Sequence, residues 1–322
     1  MKIRLLQSFL AACLAFSTGV FAQSYPAKPM RLIVAFPAGG GSDIVGRIIA
    51  NKLGERLGQA VVVENRAGAG GSIGTEAAVK APADGYTMVL GGTSEITVNP
   101  HVYSKLTYDT VKDLIPVGLV ASTPMVIVVP PALEVKTPAD LVKMAKDKPG
   151  QVNVGSAGNG SFTHLAAELF RSMNGFTWTH VPYKGAPPAL NDLASGRVQV
   201  MFSTVPAAMA LIKGGLIRPV AVSTQQREPT LPDVPTVIES GIPGYDVQFW
   251  YGIFVPAGTP RDIVAKLSGA VSEATKDAEV VGQLAKQGAA PGRMTPAQFA
   301  EYVRAEHAKW GKVVKESGAK ID

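Results

Sequence analysis

The residues best placed to do chemistry in this chain are glycines and hydroxyls rather than acids, thiols or metal ligands. Ala35-Phe36-Pro37-Ala38-Gly39-Gly40-Gly41-Ser42-Asp43 joins a β-branched run to an amphipathic stretch. Glycines let successive backbone N–H groups turn towards one point, and the following helix N-terminus adds unpaired donors and a positive dipole end. The segment predicts an anion site, with Phe36 and Ala38 at its start, amides from Gly39, Gly40 and Gly41, and a hydroxyl from Ser42. Asp43 carries a charge unfavourable to an anion, so it is assigned to organising the loop. The simpler alternative is a tight turn with Ser42 or Asp43 as N-cap.

The design recurs at Ser156-Ala157-Gly158-Asn159-Gly160-Ser161-Phe162-Thr163-His164. Ligands of open α/β sheets bind beyond the carboxyl ends of strands, so two such loops from facing domains could grip one anion from both sides. Ser161 and Thr163 would add hydroxyls, and His164 would either donate to the ligand or hold the loop. Tyr183-Lys184-Gly185 is a further cleft-edge segment, with Lys184 offering a cation, although lysines are usually solvated. Ala67 to Gly74 is a third Gly-rich stretch that borders the cleft or merely turns the chain. Trp250 and Tyr251 either wall the cleft or pack in a hinge.

Other chemistries fit poorly. The position after Gly39-x-Gly41 that a dinucleotide fingerprint gives to glycine holds Ile44, and neither loop carries Gly-Lys-Ser/Thr, so no nucleotide cofactor is expected. There is no H-E-x-x-H helix. His101, His164, His180 and His307 stand far apart, and a metal cluster would need the fold to collect them. Neither metal nor cofactor is predicted.

Positioning such loops requires strands and helices in alternation, and the chain supplies them. Short β-branched runs at 31–36, 60–64 and 86–91 alternate with helical periodicity around 44–57 and 72–80. A second series runs through strands at 125–129, 152–155, 177–182, 198–202 and 219–223, with helices at 138–146, 163–174, 188–194 and 206–213. Right-handed crossovers would build two doubly wound α/β domains. Segments 117–129 and 247–255 are long enough to cross between them. Helices at 260–276 and 296–315 are expected to return to the first domain, giving residues 23–122 and 250–322 as domain 1 and 123–249 as domain 2.

At the N-terminus, Lys2 and Arg4 precede an apolar run that ends in Val20-Phe21-Ala22, the pattern of a secretory signal peptide cut after Ala22. Leu10-Ala11-Ala12-Cys13 has the order of a lipoprotein box, but cleavage there would leave Leu14 to Phe21 as an exposed apolar tail. Cys13 is the sole cysteine, so a chain cut after Ala22 forms no disulfide. Losing Lys2 and Arg4 takes 31 basic residues to 29 against 25 acidic, a net charge of +4. This mild excess suits small anions and forms no basic run suited to nucleic acid.

Several segments, in order, together resemble one family: Phe36-Pro37-Ala38-Gly39-Gly40-Gly41-Ser42-Asp43, Glu64-Asn65-Arg66-Ala67-Gly68-Ala69-Gly70-Gly71, Asn159-Gly160-Ser161 through His164-Leu165-Ala166, Val181-Pro182-Tyr183-Lys184-Gly185, and Leu231-Pro232-Asp233-Val234-Pro235-Thr236. From about Tyr25 onward the chain resembles the Bug (Bordetella uptake gene), or tripartite tricarboxylate transporter receptor, family. The resemblance implies a type II periplasmic binding protein of Venus-flytrap form that binds a di- or tricarboxylate, an amino acid or an aromatic acid. It implies ligand contacts from residues 38–43 and 156–164. Many members have aspartate where this chain has Ser203, which argues against a ligand ammonium group. The expected partners are a small carboxylate and the membrane subunits of a tripartite tricarboxylate-type transporter, with the receptor itself a monomer. The alternatives are a secreted hydrolase using Ser42 or Ser161 with His164, and a ligand sensor for a signalling partner.

Overall fold

In the computed structural model, residues 25–317 are described. The segment assigned to signal cleavage, including Cys13 and Ala22, lies outside them.

β-branched runs form the centre of each half. Strands β1 (Met30–Val34), β2 (Val61–Asn65) and β3 (Thr87–Gly92) pair in parallel, with β1 in the middle. Between them run α1 (Gly41–Leu57), closed by left-handed Gly58, and α2 (Ser72–Val79). A π-helical turn, Thr93–Val98, leads into the short α3 (Asn99–Val102). The sheet is completed by β9 (Gln248–Pro256), antiparallel to β3, and by the first part of β4 (Leu114–Val129).

The second half repeats the plan. Strands β5 (Asn153–Ser156), β6 (Thr179–Pro182) and β7 (Val200–Thr204) pair in parallel, and the end of β4 lies antiparallel between β7 and β8 (Arg218–Val222). Its helices are α4 (Pro138–Asp147), α5 (Phe162–Asn174), α6 (Ala186–Ala194) and α7 (Val205–Lys213). The strand orders β2-β1-β3-β9-β4 and β6-β5-β7-β4-β8 therefore match position by position. Each sheet is mixed, because the strands that cross or return run against the parallel set.

One strand joins the two halves. β4 pairs with β9 as far as Pro124↔Gln248, and from Met125 its partners are β7 and β8. The return passage is at Val247, whose N–H donates to Ser223 O of the second lobe just before β9 begins. Helix α8 (Arg261–Ala274) packs on β4 and α1. α9 (Ala278–Lys286) and the two-residue β10 (Ala290–Pro291) are additions to the elements expected from periodicity. The last helix, α10 (Pro296–Ser317), packs on β4 and the π-helix, and its buried Trp310 meets Phe162 of the second lobe edge-on at 5.0 Å.

Candidate functional site

Each parallel strand delivers a helix N-terminus to the gap between the lobes. The innermost space is a chamber of about 40 Å³. It is lined by Gly40 to Ser42 at the start of α1, Ser161 to Thr163 at the start of α5, Ala186 opening α6 and Thr204 capping α7. Four helix N-termini, with their positive dipole ends, thus border one small volume. Among the described residues no acidic side chain lines it; the rest of the wall is Phe36, Ser94, Ala157, Phe249 and Tyr251.

Burial makes the hydroxyls of this wall demanding. Tyr251 Oη is fully enclosed and makes no well-formed hydrogen bond to the protein, although the Thr204 hydroxyl is near, and burial pushes its phenol well above the ordinary range. Ser161 Oγ donates to Gly158 O at 2.6 Å and shares a 2.8 Å bond with Thr163 Oγ1, which accepts the Ala157 amide. These bonds fix the second loop before any ligand arrives. Phe36 and Ala157 also border an outer chamber of about 380 Å³. Its other walls include the Ala67 to Gly71 turn, Tyr103, Gly158, Asn159, Tyr183, Lys184 and Gly185.

The structure sorts the sequence-derived residues into three groups. Gly40, Gly41, Ser42, Ser161 and Thr163 line the inner chamber, and Gly158, Asn159, Lys184 and Gly185 line the outer one. A third group serves the loops themselves. Gly39 has φ +79°, and its amide donates to Asp43 Oδ2, so this glycine and Ala38 shape the turn and line neither chamber. Asp43 also accepts from Asn65 and Arg47; against its burial, these bonds hold its carboxyl below the usual carboxylate range. Gly160 donates to His164 Nδ1 at 3.4 Å.

Three residues expected at the ligand face inward instead. Ser156 Oγ is buried among Gly158 and His180 Nε2, the latter at 2.6 Å. His164 stacks on His180 with ring centroids 3.8 Å apart, and burial lowers the pKa of both, His180 to about 4. Ser203 Oγ donates to the carbonyl of Thr204, and it is Thr204, at the strand end, that reaches the chamber. The Ser156–His180 pair lines neither chamber, and nearby Glu168 is engaged by Arg171 and Trp178. The other two histidines, His101 and His307, meet elsewhere with centroids 4.3 Å apart. Among the described residues no three metal-ligating side chains gather.

Ser94, Ala186, Thr204, Phe249 and Tyr251 are the inner-wall residues that sequence patterning did not single out as ligands, with Tyr251 expected either to wall the cleft or to pack in a hinge. The alternation of β9 held the signal: Phe249 and Tyr251 share the chamber face while Trp250 packs into the first lobe's core with Phe254 and Phe299. For Ser94 nothing in the local pattern marks a π-helical turn.

The family model described as "Tripartite tricarboxylate transporter family receptor" matches residues 45–319. The chain belongs to that family. Protein BugT of Bordetella pertussis is 38% identical over 303 residues, covering 94% of this chain and 93% of the relative. A solved R. palustris protein with adipate is 39% identical, covers 91% of this chain and 98% of its own, and superposes with a TM-score of 0.88. MatC from Rhodopseudomonas palustris, solved with bound malate, is 32% identical with a TM-score of 0.86, covering 90% of this chain and all of its own. The fold is thus that of periplasmic binding proteins of this receptor type, two α/β lobes around a cleft.

Proposed function

We propose that this protein is a periplasmic receptor that captures a small organic carboxylate in the inner chamber for a tripartite tricarboxylate-type transporter. The observation that carries the reading is the convergence of four helix N-termini on a chamber of about 40 Å³ with no acidic side chain in its wall. A carboxylate leaving water must recover its hydrogen bonds from fixed donors, and free amides, Ser42 and Tyr251 supply them. The outer chamber then takes the rest of the molecule. Lys184 stands at its rim for a second anionic group, and no aspartate or glutamate lines it for an ammonium. The relatives solved with adipate and malate agree with this class of ligand.

The reading includes two rigid lobes, residues 23–122 with 250–322 and residues 123–249, that close on the ligand as a monomer. It also includes export, with cleavage after Ala22 giving a mature chain that starts at Gln23. Intact-mass analysis checks the last point, and an acylated species beginning at Cys13 would overturn it. A thermal-shift screen of organic acids tests the function. An acid held at a hundredfold its dissociation constant adds about 2.7 kcal/mol to native stability. Absence of any shift across dicarboxylates, tricarboxylates and aromatic acids would defeat the proposal.

A further inference from the structure

Behind the wall of the inner chamber lies a carboxyl group that carboxylate capture does not use. Glu95 sits in the π-helical turn with 1% exposure. Its Oε1 accepts the Gly92 amide at 2.7 Å, whereas its Oε2 is buried with no hydrogen-bond partner. Gly92 is the β-partner of Tyr251, and Ser94, the neighbour of Glu95, lines the chamber and accepts the Phe162 amide at 2.8 Å. A Cβ placed on Gly71 would lie 3.0 Å from Glu95 Cβ and 3.2 Å from the Phe36 ring, so Glu95 and the chamber-wall ring of Phe36 flank the same glycine.

We propose that Glu95 is the proton-linked positioning residue of the ligand site, so that an anion entering the inner chamber is taken up together with a proton. The inference rests on the carboxylate reading. A second negative charge brought near a buried carboxyl whose Oε2 is unpartnered disfavours an ionised Glu95, and the cheapest response is protonation of Oε2. Burial already pushes this carboxyl up to about 7, against the hydrogen bond from Gly92. It is therefore poised to respond near neutral pH.

Among the described residues no cation is bonded to the Glu95 carboxyl. The titratable groups that feel its charge are the phenols of Tyr251, from β9, and Tyr108, from the segment after α3. On α10, Glu306 is bonded to Trp310 and Lys309, Tyr302 packs on Trp250, and the His307 carbonyl bonds His101 of α3. On α5, His164 stacks on His180 and Glu168 pairs with Arg171. The comparison with Glu95→Gln separates the proton of this carboxyl from that of any other group.

The test is calorimetric titration with sodium adipate and with malate, whose carboxyls are ionised at pH 7, in buffers of different ionisation enthalpy. The wild type should take up about half a proton per ligand near pH 7, and its affinity should fall by up to about tenfold per pH unit above that. Glu95→Gln, permanently neutral, should lose this uptake and bind more tightly than the wild type at pH 8. Should that variant not fold, infrared difference spectra of the wild type must show a protonated carboxyl band rising on ligand addition at pH 7.5. Binding without buffer-dependent heat, without that band, or with equal proton uptake in Glu95→Gln overturns the inference alone. Absence of binding by any organic acid overturns the carboxylate reading and this inference with it.

Discussion

At the scale of single residues, the inner chamber separates side chains that hold the loops from those left free for a ligand. Tyr251 is the sharpest case, because its buried hydroxyl makes no well-formed hydrogen bond among the described residues. Removing an unsatisfied hydroxyl does not weaken the protein that carries it, whereas losing a hydrogen bond to a charged ligand costs about 1.5–3 kcal/mol. Tyr251→Phe should therefore melt no lower than the wild type and bind its acid about tenfold to a hundredfold more weakly, checked by melting and calorimetric titration. Equal affinity would place the anion elsewhere. Ser42→Ala should lose a similar amount. Gly41 matters for a different reason: its backbone is ordinary, but a Cβ there would collide with Thr204 Oγ1 and lie 2.8 Å from Tyr251 Oη. Gly41→Val should abolish binding by filling the chamber and propping the lobes apart while each lobe stays folded, as circular dichroism would report. The neighbouring Gly40 has φ −78° and only a 3.3 Å approach to Pro37 O, so the same change there should do less.

At the scale of elements, the loop that opens α5 is built around the His164–His180 stack, and this gives it a pH dependence. His180 is neutral when folded because burial and its histidine neighbour lower its pKa to about 4. In the unfolded chain it titrates near the ordinary value of about 6.5. The unfolded state therefore binds more protons as pH falls, so the stabilisation is complete above pH 6.5 and is lost progressively down to about pH 4. Urea midpoints should drop over that window, and by less in His180→Gln, which does not titrate. An equal drop in both would assign the effect to other groups. None of this was legible beforehand, since the two histidines are sixteen positions apart and only the parallel pairing of β5 with β6, Val154↔His180, brings them together. What the sequence does encode is local: strand, Gly-rich turn and helix N-terminus recur with boundaries within a few residues of those found. Hydroxyls adjacent to those turns were legible as donors for the same reason. Non-local features were not. Thr204 rather than Ser203 faces the chamber because strand phase is set by pairing with β4, and the π-helical turn bearing Ser94 and Glu95 has no periodic signature.

At the scale of the whole molecule, the lobes touch through bonds that a hinged opening would break. Ser94 Oγ accepts the Phe162 amide, Tyr103 Oη donates to Asn159 O at 2.9 Å, and a Cβ on Gly185 would overlap the Pro37 ring. The chain itself crosses between the lobes at the β4 strand and at the passage at Val247, where a hinged opening would bend it. Closure has its own cost, because it withdraws four helix N-termini and the Tyr251 hydroxyl from water; a bound carboxylate offsets that cost and nothing in the protein does so fully. The equilibrium should thus favour separated lobes without ligand and joined lobes with it, and ligand should reduce the radius of gyration in solution scattering. Tyr103 isolates the latch from the chamber floor, since its hydroxyl donates across the lobes to Asn159 O and the residue lies on the outer wall. Tyr103→Phe removes about 0.5–1.5 kcal/mol from the closed form alone. Its acid should bind a few-fold to about tenfold more weakly, with faster release, an unchanged melting point without ligand, and the same compact form at saturation. A lower melting point in the ligand-free variant would make Tyr103 a structural residue, and an unchanged scattering profile of the wild type at saturating acid would defeat closure itself.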